Sequence, residues 1–235
     1  MTFVPKQQLD ELSRFAWIAD REARSDLSRG YIRNEDDYTS NFTGALRRII
    51  NSNSHTGLQA VSLLLQPSEE RKSGTDAAII LVRGGKSKIA LFEAKWPRFK
   101  TTNYKWDYPQ TASGKSHFSD QLARQGKYCG QFAVFEMFYC EYELGAQPSF
   151  LQADGSTCAW HTDAQTFQSK RNSADAIWKQ TELQTMLSKN NSSIAEIITK
   201  VGECLEGQPI SMSDPEGIAS EFGLPHRILS ISFSD

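Results

Sequence analysis

SGTDAAIILVRGGKSKIALFEAKW, residues 73–96, contains two short apolar runs joined by a pair of glycines. The runs Ala77–Val82 and Ile89–Phe92 are rich in β-branched and aromatic residues, which favours strands. The connection Arg83-Gly84-Gly85-Lys86 supplies residues that adopt positive φ in hairpin turns, and a parallel pairing would need a longer crossover. The stretch therefore predicts an antiparallel hairpin.

This hairpin brings three chemically useful side chains to one end of a sheet. The first strand begins after Asp76 and the second returns to Glu93, so the two carboxylates become neighbours. Side chains alternate along a strand, which puts Glu93 and Lys95 on one face with Ala94 on the other. Two carboxylates can hold a hard divalent cation, and a lysine beside them can act on a water or on an oxyanion.

The segment before the hairpin predicts an amphipathic helix from about Asn34, a favourable N-cap residue. Its apolar stripe consists of Tyr38, Phe42, Leu46, Ile49 and Ile50. Glu35 stands seven residues before Phe42, so at about 100° per residue it falls on that stripe, whereas Asp37 points away. Glu35 is predicted to face the core or a cleft. The alternative is that Glu35 is only a solvated cap residue.

The segment after the hairpin predicts a second helix, between about His117 and Gln131. Gln121, Gln125 and Tyr128 project within the same arc as its apolar residues. Amides on an apolar stripe need buried hydrogen-bond partners. Each glutamine could cap a sheet edge or bond another helix, and the sequence leaves open which partners the two amides take.

The long connection between the hairpin and this helix, residues 97–116, mixes cations with aromatic residues. Cationic side chains can hold phosphates while aromatic faces stack on bases. An ordinary surface loop with its own aromatic cluster, or a protein-binding loop, explains the same composition. The residues predicted to contact nucleic acid are Arg98, Lys100, Lys105, Trp106 and Lys115, interleaved with Phe99, Tyr104 and Tyr108.

The pattern of Asp76 followed by Glu93-Ala94-Lys95 on a hairpin, with a helix on either side, resembles the PD-(D/E)XK nuclease superfamily, which has the restriction-endonuclease-like fold. Thr75 stands where the naming motif has proline. Glu70-Arg71-Lys72 repeats the acid and lysine spacing, but in a charged run with no strand to present it. The resemblance covers about residues 34–144.

The resemblance implies a Mg²⁺-dependent nuclease that hydrolyses DNA, with Mn²⁺ as a substitute ion. Asp76 and Glu93, with the carbonyl of Ala94, would bind the metal, and Glu35 would hold a second metal or a water. Lys95 would orient or deprotonate the attacking water, or stabilise the transition state, with its pKa lowered toward neutrality in a metal-rich, partly desolvated site. Gln121 or Gln125 would join the site. The implied setting is prokaryotic or phage restriction, antiviral defence or recombination.

Two other functions compete with this one. A non-catalytic nucleic-acid-binding or scaffold subunit would keep the fold without turnover. Alternatively, the enzyme would cut only when a partner protein delivers the substrate. RNA is an alternative substrate, and a homodimer is an open possibility.

The element order predicts an α/β fold with a restriction-endonuclease-like core: a helix, a three-strand antiparallel meander, a helix and a strand, forming a mixed sheet flanked by helices. An extra helix over Pro5–Ser28 precedes this core. The further strands are predicted at Leu58–Leu65 and Phe132–Glu143. Residues 145–235 are predicted to be a largely helical elaboration of unknown role, with turn and strand at Gln147–Thr162, one or two helices at Ala174–Leu205 and a last strand at Arg227–Phe233.

The composition fits one domain over residues 1–235, with 39% hydrophobic and 23% charged residues. A net charge of −2 argues against polyanion binding through bulk charge, so DNA contact would need a local patch and metal ions. The four cysteines lack metal-ligand spacing and indicate reduced thiols. No signal peptide and no membrane-length apolar run is found. We therefore expect a cytoplasmic protein without membrane partners.

Overall fold

The computed structural model describes residues 2–65, 73–101, 105–107, 114–173 and 175–234. These residues build an α/β fold in which helices flank one mixed six-stranded sheet. The strands are β1 (Leu58–Leu64), β2 (Ala77–Arg83), β3 (Lys86–Lys95), β4 (Ala133–Phe138), β5 (Thr157–Trp160) and β6 (Arg227–Phe233). The helices are α1 (Lys6–Ser28), α2 (Glu35–Ser52), α3 (His117–Gln125), α4 (His161–Ser169), α5 (Gln180–Leu187), α6 (Ile194–Gly202) and α7 (Pro215–Phe222).

The strand order across the sheet is β1-β6-β2-β3-β4-β5. β6 is antiparallel to β1 and parallel to β2, while β2 and β3 are antiparallel. β3 and β4 are parallel, and β5 closes the other edge antiparallel to β4. An open mixed sheet with flanking helices is confirmed.

The predicted three-strand meander of β1, β2 and β3 is wrong. β1 and β2 are separated by β6, which pairs with both of them. Residues 145–235 therefore contribute two strands, one of them central, as well as helices. The reason is burial: β6 is apolar and almost fully buried, and a strand buried on both faces is typical of the interior of a sheet.

The predicted hairpin is confirmed, with Arg83 opposite Lys86 and Ala77 opposite Phe92. Gly84 and Gly85 form the turn at φ 55° and 73°, the backbone region that a two-residue hairpin turn requires and that glycine adopts at no steric cost. The N–H of Asp76 donates to the carbonyl of Phe92 at 2.9 Å. The register thus carries Asp76 to the end of β3 where Glu93 lies.

The two faces of the sheet are covered by different helices. Ile79, Phe92 and Phe135 pack in one hydrophobic cluster with residues of α1, α2 and α6, whereas Ile80 and Leu91 pack on the opposite side with residues of α7. A third cluster joins α3, α5 and the end of β4. Because side chains alternate, Glu93 and Lys95 share the face of Leu91, away from the α1 and α2 layer.

Several predicted boundaries shift. The helix predicted over His117–Gln131 ends at Gln125, and a 3₁₀ turn over Gly126–Tyr128 follows. The strand predicted over Phe132–Glu143 is shorter, as β4. Glu70-Arg71-Lys72 lies outside the described residues. None of the helices in the described ranges combines the length and apolar character needed to cross a membrane.

Candidate active site

The hairpin places Asp76, Glu93 and Lys95 together at one end of the β2 and β3 pair. Lys95 Nζ donates to Glu93 Oε1 at 2.6 Å. Asp76 Oδ2 accepts a hydrogen bond from the N–H of Ala94 at 2.7 Å, which fixes this carboxylate against the β3 backbone. The three side chains and Glu35 line one cleft of about 350 Å³, which we call the inner cleft.

Glu35 comes to this site from the first turn of α2. Asn34 caps that helix by accepting a hydrogen bond from the N–H of Asp37 at 2.7 Å. Glu35 Oε1 accepts from the N–H of Trp96 at 2.9 Å, and its Oε2 lies 3.7 Å from Lys95 Nζ. The helical periodicity that directed Glu35 inward therefore brings it to the end of β3 and beside the lysine.

The two glutamines of α3 have different positions. Gln121 Nε2 donates to Glu93 Oε1 in a short hydrogen bond, so Gln121 is the glutamine that touches the carboxylates. Gln125 Nε2 instead donates to the carbonyl of Gly74 at 2.6 Å. Of the two glutamines, Gln121 is therefore the one that contacts Glu93, whereas Gln125 contacts the backbone that precedes Asp76.

The charges of the site do not balance. Glu35, Asp76 and Glu93 gather around one ammonium, that of Lys95. Burial and the neighbouring carboxylate of Asp76 raise the pKa of Glu93 well above its usual range, against the opposing attraction of Lys95. The inner cleft is also lined by Arg124, which pairs with Asp120 at 2.9 Å. Three carboxylates against these two cations still leave a formal excess of negative charge, which favours uptake of a proton or a cation.

Lys95 is held as an ammonium. Burial by itself lowers the pKa of Lys95, but the carboxylates of Glu93, Glu35 and Asp76 outweigh burial and raise it above the ordinary lysine value. Without a divalent ion these surroundings therefore raise the pKa of Lys95, and the expected fall toward neutrality, which depends on a metal-rich site, stays a prediction. A permanently protonated lysine donates hydrogen bonds and supplies positive charge, but it does not accept a proton at neutral pH.

The donor set fits a hard divalent cation in part. Carboxylate oxygens and a surplus of negative charge are what Mg²⁺ requires, and the Oε1 atom of Gln121, next to Glu93, is buried without a hydrogen-bond partner in the described structure. Within the described ranges, no group of three or more acidic, histidine or cysteine side chains is arranged to hold a metal ion. The ammonium of Lys95 lies close to both Glu93 and Glu35, so these two carboxylates contact the lysine. The contact of Ala94 with the site is its N–H bond to Asp76.

A second cleft continues from the first. It measures about 370 Å³ and shares Glu35, Lys95, His117 and Gln121 with the inner cleft. We call it the outer cleft; Arg33, Trp96 and Arg98 are among its other lining residues. The Arg98 guanidinium lies 4.3 Å from the centre of the Trp96 ring. A substrate that reaches the carboxylates can therefore extend past two arginines.

The residues predicted to contact nucleic acid are dispersed. Trp106 is only 6% exposed and packs edge-on against Phe118, Phe138 and Trp178. This low exposure leaves almost no ring surface for a base, so the burial of Trp106 contradicts the prediction that it stacks on bases. Tyr104 and Tyr108 lie outside the described residues.

The lysines of this group differ in their surroundings. Lys115 pairs with Asp175 at 2.7 Å, and the Lys100 ammonium lies 4.9 Å from the Tyr142 ring centre. Lys105 is exposed. Of the five predicted residues, Arg98 and Trp106 line the outer cleft.

Two residues near the site, Arg33 and Tyr139, were missed as contributors by sequence reasoning, whereas the start of the downstream helix, where His117 lies, was expected to approach it. Arg33 directly precedes the N-cap of α2, a position that could have drawn attention to it. Tyr139 follows β4, and burial together with Glu35, Asp76 and Glu93 raises its pKa well above the usual value, so it stays a neutral phenol. His117 lines both clefts, and burial and Lys95 lower its pKa. The apolar context of Tyr139 gave no signal.

Comparisons of the chain with protein-family models, with curated proteins and with solved structures find no match.

Proposed function

We propose that this protein is a metal-dependent nuclease that hydrolyses phosphodiester bonds in DNA. The observation that carries the proposal is the convergence of Asp76, Glu93, Lys95, Glu35 and Gln121 on one cleft from the loop before β2, from β3, from α2 and from α3. Several carboxylates are costly to gather in one largely buried cleft. Such an arrangement of perturbed carboxylates around a lysine is typical of functional sites.

In this proposal Lys95 acts through its charge. Its ammonium can donate a hydrogen bond to a non-bridging phosphate oxygen or orient the attacking water, and it stabilises the negative charge that grows on the phosphate during attack. Glu35 and Glu93 hold the ammonium in place. Gln121, bonded to Glu93, keeps that carboxylate oriented toward the cleft.

Asp76 and Glu93 are the residues that would hold Mg²⁺ or Mn²⁺, with the carbonyl of Ala94 as a further ligand and Glu35 near a second ion or a water. A bound divalent ion lowers the pKa of its water and neutralises phosphate charge. The surplus of carboxylates over lysine, and the buried Oε1 of Gln121 that lacks a partner among the described residues, support this assignment.

The outer cleft supplies a path for the substrate strand. Two aspartates that line this cleft already have partners. Asp36 pairs with Arg227 at 2.8 Å, and Asp107 accepts hydrogen bonds from the N–H groups of Phe118 and Trp178. The exposed guanidinium of Arg33 has no partner among the described residues. A phosphate that enters this cleft therefore meets the positive charge of Arg33 and Arg98.

Replacing Arg33 and Arg98 together by alanine should weaken DNA binding and flatten its salt dependence, since each lost phosphate contact removes counterion release. We expect the slope of log K against log salt to fall by about 1 for each contact that is lost. Binding is measured by fluorescence anisotropy in Ca²⁺ at several salt concentrations. Arg47→Ala is the matched control, because Arg47 is exposed on α2, roughly 18 Å along the helix from its first residue.

An unchanged slope in the double arginine variant would assign DNA binding to other residues. A triple variant of Arg98, Lys100 and Lys105 then locates the contact. If that variant lowers the slope and the Arg33 and Arg98 variant does not, the strand follows the loop after β3 rather than the outer cleft.

The direct test of activity is incubation of the purified protein with Mg²⁺ or Mn²⁺ and plasmid, linear and single-stranded DNA, and with RNA. We expect cleavage of DNA that stops on addition of a chelator. Asp76→Asn in parallel excludes a contaminating nuclease. A role in prokaryotic or phage restriction, antiviral defence or recombination is part of the proposal and would be tested by phage challenge of cells that express each form.

The second candidate is a non-catalytic nucleic-acid-binding or scaffold subunit. One observation favours it: Lys95 already pairs with Glu93 and Glu35, and the described residues contain no preformed group of three metal ligands. DNA binding without metal binding and without cleavage would support this candidate. Metal binding with cleavage only after addition of a cell extract would instead indicate an enzyme to which a partner protein delivers the substrate.

A further inference from the structure

A buried polar cluster adjoins the candidate site at Gly74 and at Glu93. Its members are Gln125 of α3, Glu136 of β4 and His161 of α4, all of which have no exposed surface. Glu136 is the β4 partner of Glu93 in the sheet register. None of the three lines the inner or the outer cleft, so a direct contact with substrate does not account for them.

The hydrogen bonds of Gln125 fix the direction of its amide. A carbonyl oxygen only accepts, so the contact of 2.6 Å with Gly74 O must come from the Gln125 NH₂ group. The same group lies 3.4 Å from Glu136 Oε2. The amide oxygen then faces His161 Nδ1 at 2.8 Å, and His161 must donate. The chain of donors runs from His161 through Gln125 to Gly74.

The surroundings of His161 keep a proton on Nδ1. Nδ1 lies within 3.4 Å of a Glu136 oxygen as well as next to Gln125, and both atoms are acceptors. Burial lowers the pKa of His161, but Cys129 and Glu136 outweigh burial and bring the pKa to about 9. The direction of the Gln125 amide is therefore the same throughout the neutral pH range.

The backbone held by Gln125 is tightly fitted against α3. Gly74 has φ +73°, and a Cβ there would lie 2.9 Å from the carbonyl oxygen of Gln121, closer than real Cβ contacts. Thr75 is buried and Asp76 follows it directly. A small displacement of Gly74 would therefore move the carboxylate of Asp76 relative to Glu93.

We propose that Gln125 and His161 are positioning residues that hold the Gly74 backbone, and through it Asp76, in register with Glu93. The catalytic part of this inference depends on the proposed nuclease function, whereas the positioning part does not. The inference also assigns a role to part of residues 145–235, because α4 supplies the His161 that orients Gln125.

Hydrogen exchange tests the positioning directly. In Gln125→Leu, amides of a peptide spanning residues 73–80 should exchange about tenfold faster, the factor expected for loss of one buried hydrogen bond, while the rest of the protein keeps its protection. Asn51→Leu is the matched control. Asn51 is also an amide that makes a donor and an acceptor bond to backbone, at Ala60 on the edge strand β1.

Rescue variants separate positioning from simple packing. Gln125→Glu keeps the volume but puts an oxygen against Gly74 O and Glu136, so it should loosen residues 73–80 as strongly as Gln125→Leu. His161→Gln retains an N–H donor and should preserve protection, whereas His161→Leu should not. Protection of residues 73–80 that is unchanged in Gln125→Leu, or lost only in step with global unfolding, overturns the inference.

The catalytic consequence is measured separately by calorimetric titration with Mn²⁺ and by single-turnover cleavage. Gln125→Leu should lower the Mn²⁺ affinity and the cleavage rate at least tenfold, and His161→Gln should restore both relative to His161→Leu. If exchange responds as expected but the wild type neither binds Mn²⁺ nor cuts DNA, the nuclease proposal fails and the positioning of Gly74 stands.

Discussion

Lys95→Met is expected to separate metal binding from turnover more completely than any other single change. The variant loses the charge that stabilises the transition state, so cleavage should fall by roughly 10² to 10⁴, the range typical for loss of a group that acts on the reacting atoms. An ammonium is no metal ligand, so Mg²⁺ affinity should be similar or higher. Single-turnover cleavage and calorimetric titration measure the two effects independently.

Lys95→Met should also lower the free energy of unfolding. The pKa of Lys95 is raised on folding, so its ion pairs stabilise the protein fully below the ordinary lysine pKa and lose this effect only at higher pH. Lys95→Met should therefore be destabilised throughout the neutral range, by about 3 kcal/mol, the lower end for breaking a buried ion pair. Urea unfolding measures it.

Added Mg²⁺ or Ca²⁺ should restore part of this stability, because the cation takes over the role of the ammonium among the carboxylates and binds only the folded state. Lys86→Met is the control, since Lys86 is exposed at the other end of β3 and should change neither cleavage nor the response to metal. If Lys95→Met cuts at near the wild-type rate, the Glu93-Ala94-Lys95 match is a chance occurrence and the scaffold candidate becomes the better one.

Asp76→Asn should abolish both metal binding and cleavage while the protein stays folded. The asparagine side-chain oxygen can still accept the hydrogen bond from Ala94 N–H. Loss of the negative charge removes the repulsion that raises the pKa of Glu93, so stability should be equal to or higher than that of the wild type. We expect cleavage to fall by more than about 10²-fold, with circular dichroism unchanged.

Glu93→Gln should behave in the same way, because it removes the other predicted ligand. Asp37→Asn is the matched control for both acids: Asp37 lies in the first turn of α2 close to Glu35 but is not among the residues that line either cleft. Retained cleavage in Asp76→Asn or in Glu93→Gln would remove the proposed site, whatever the behaviour of Lys95.

The hairpin and the orientation of Glu35 were predictable because each depends on residues that are close together in the sequence. The glycine pair sets the hairpin register, and that register alone brings Asp76 next to Glu93. Helical periodicity gave the inward direction of Glu35. Both signals are contained within about twenty residues of sequence, where spacing translates directly into geometry.

The remaining features depend on contacts between distant segments. The apolar run Arg227–Phe233 suits a strand at several positions, and its place between β1 and β2 is decided by which open edges are available. Gln121 and Gln125 lie one turn apart on the same face of α3, so only the position of the sheet against that helix assigns Gln121 to Glu93. Trp106 shows that a loop aromatic can belong to a core cluster, which composition does not reveal.

The central place of β6 has a consequence for how the chain acquires its structure. β1 and β2 are synthesised long before their common neighbour, so each presents an unsatisfied edge until Arg227–Phe233 arrives to bridge them. Strand pairing between segments so far apart in sequence is slow. Until it occurs, the unpaired edges of β1 and β2 are prone to pair with other chains. A chain that ends before Arg227 would be left with the β2 and β3 hairpin, and the acids it carries, detached from β1. Completion of the sheet, which joins the hairpin to β1, is thus expected to be a late event of folding.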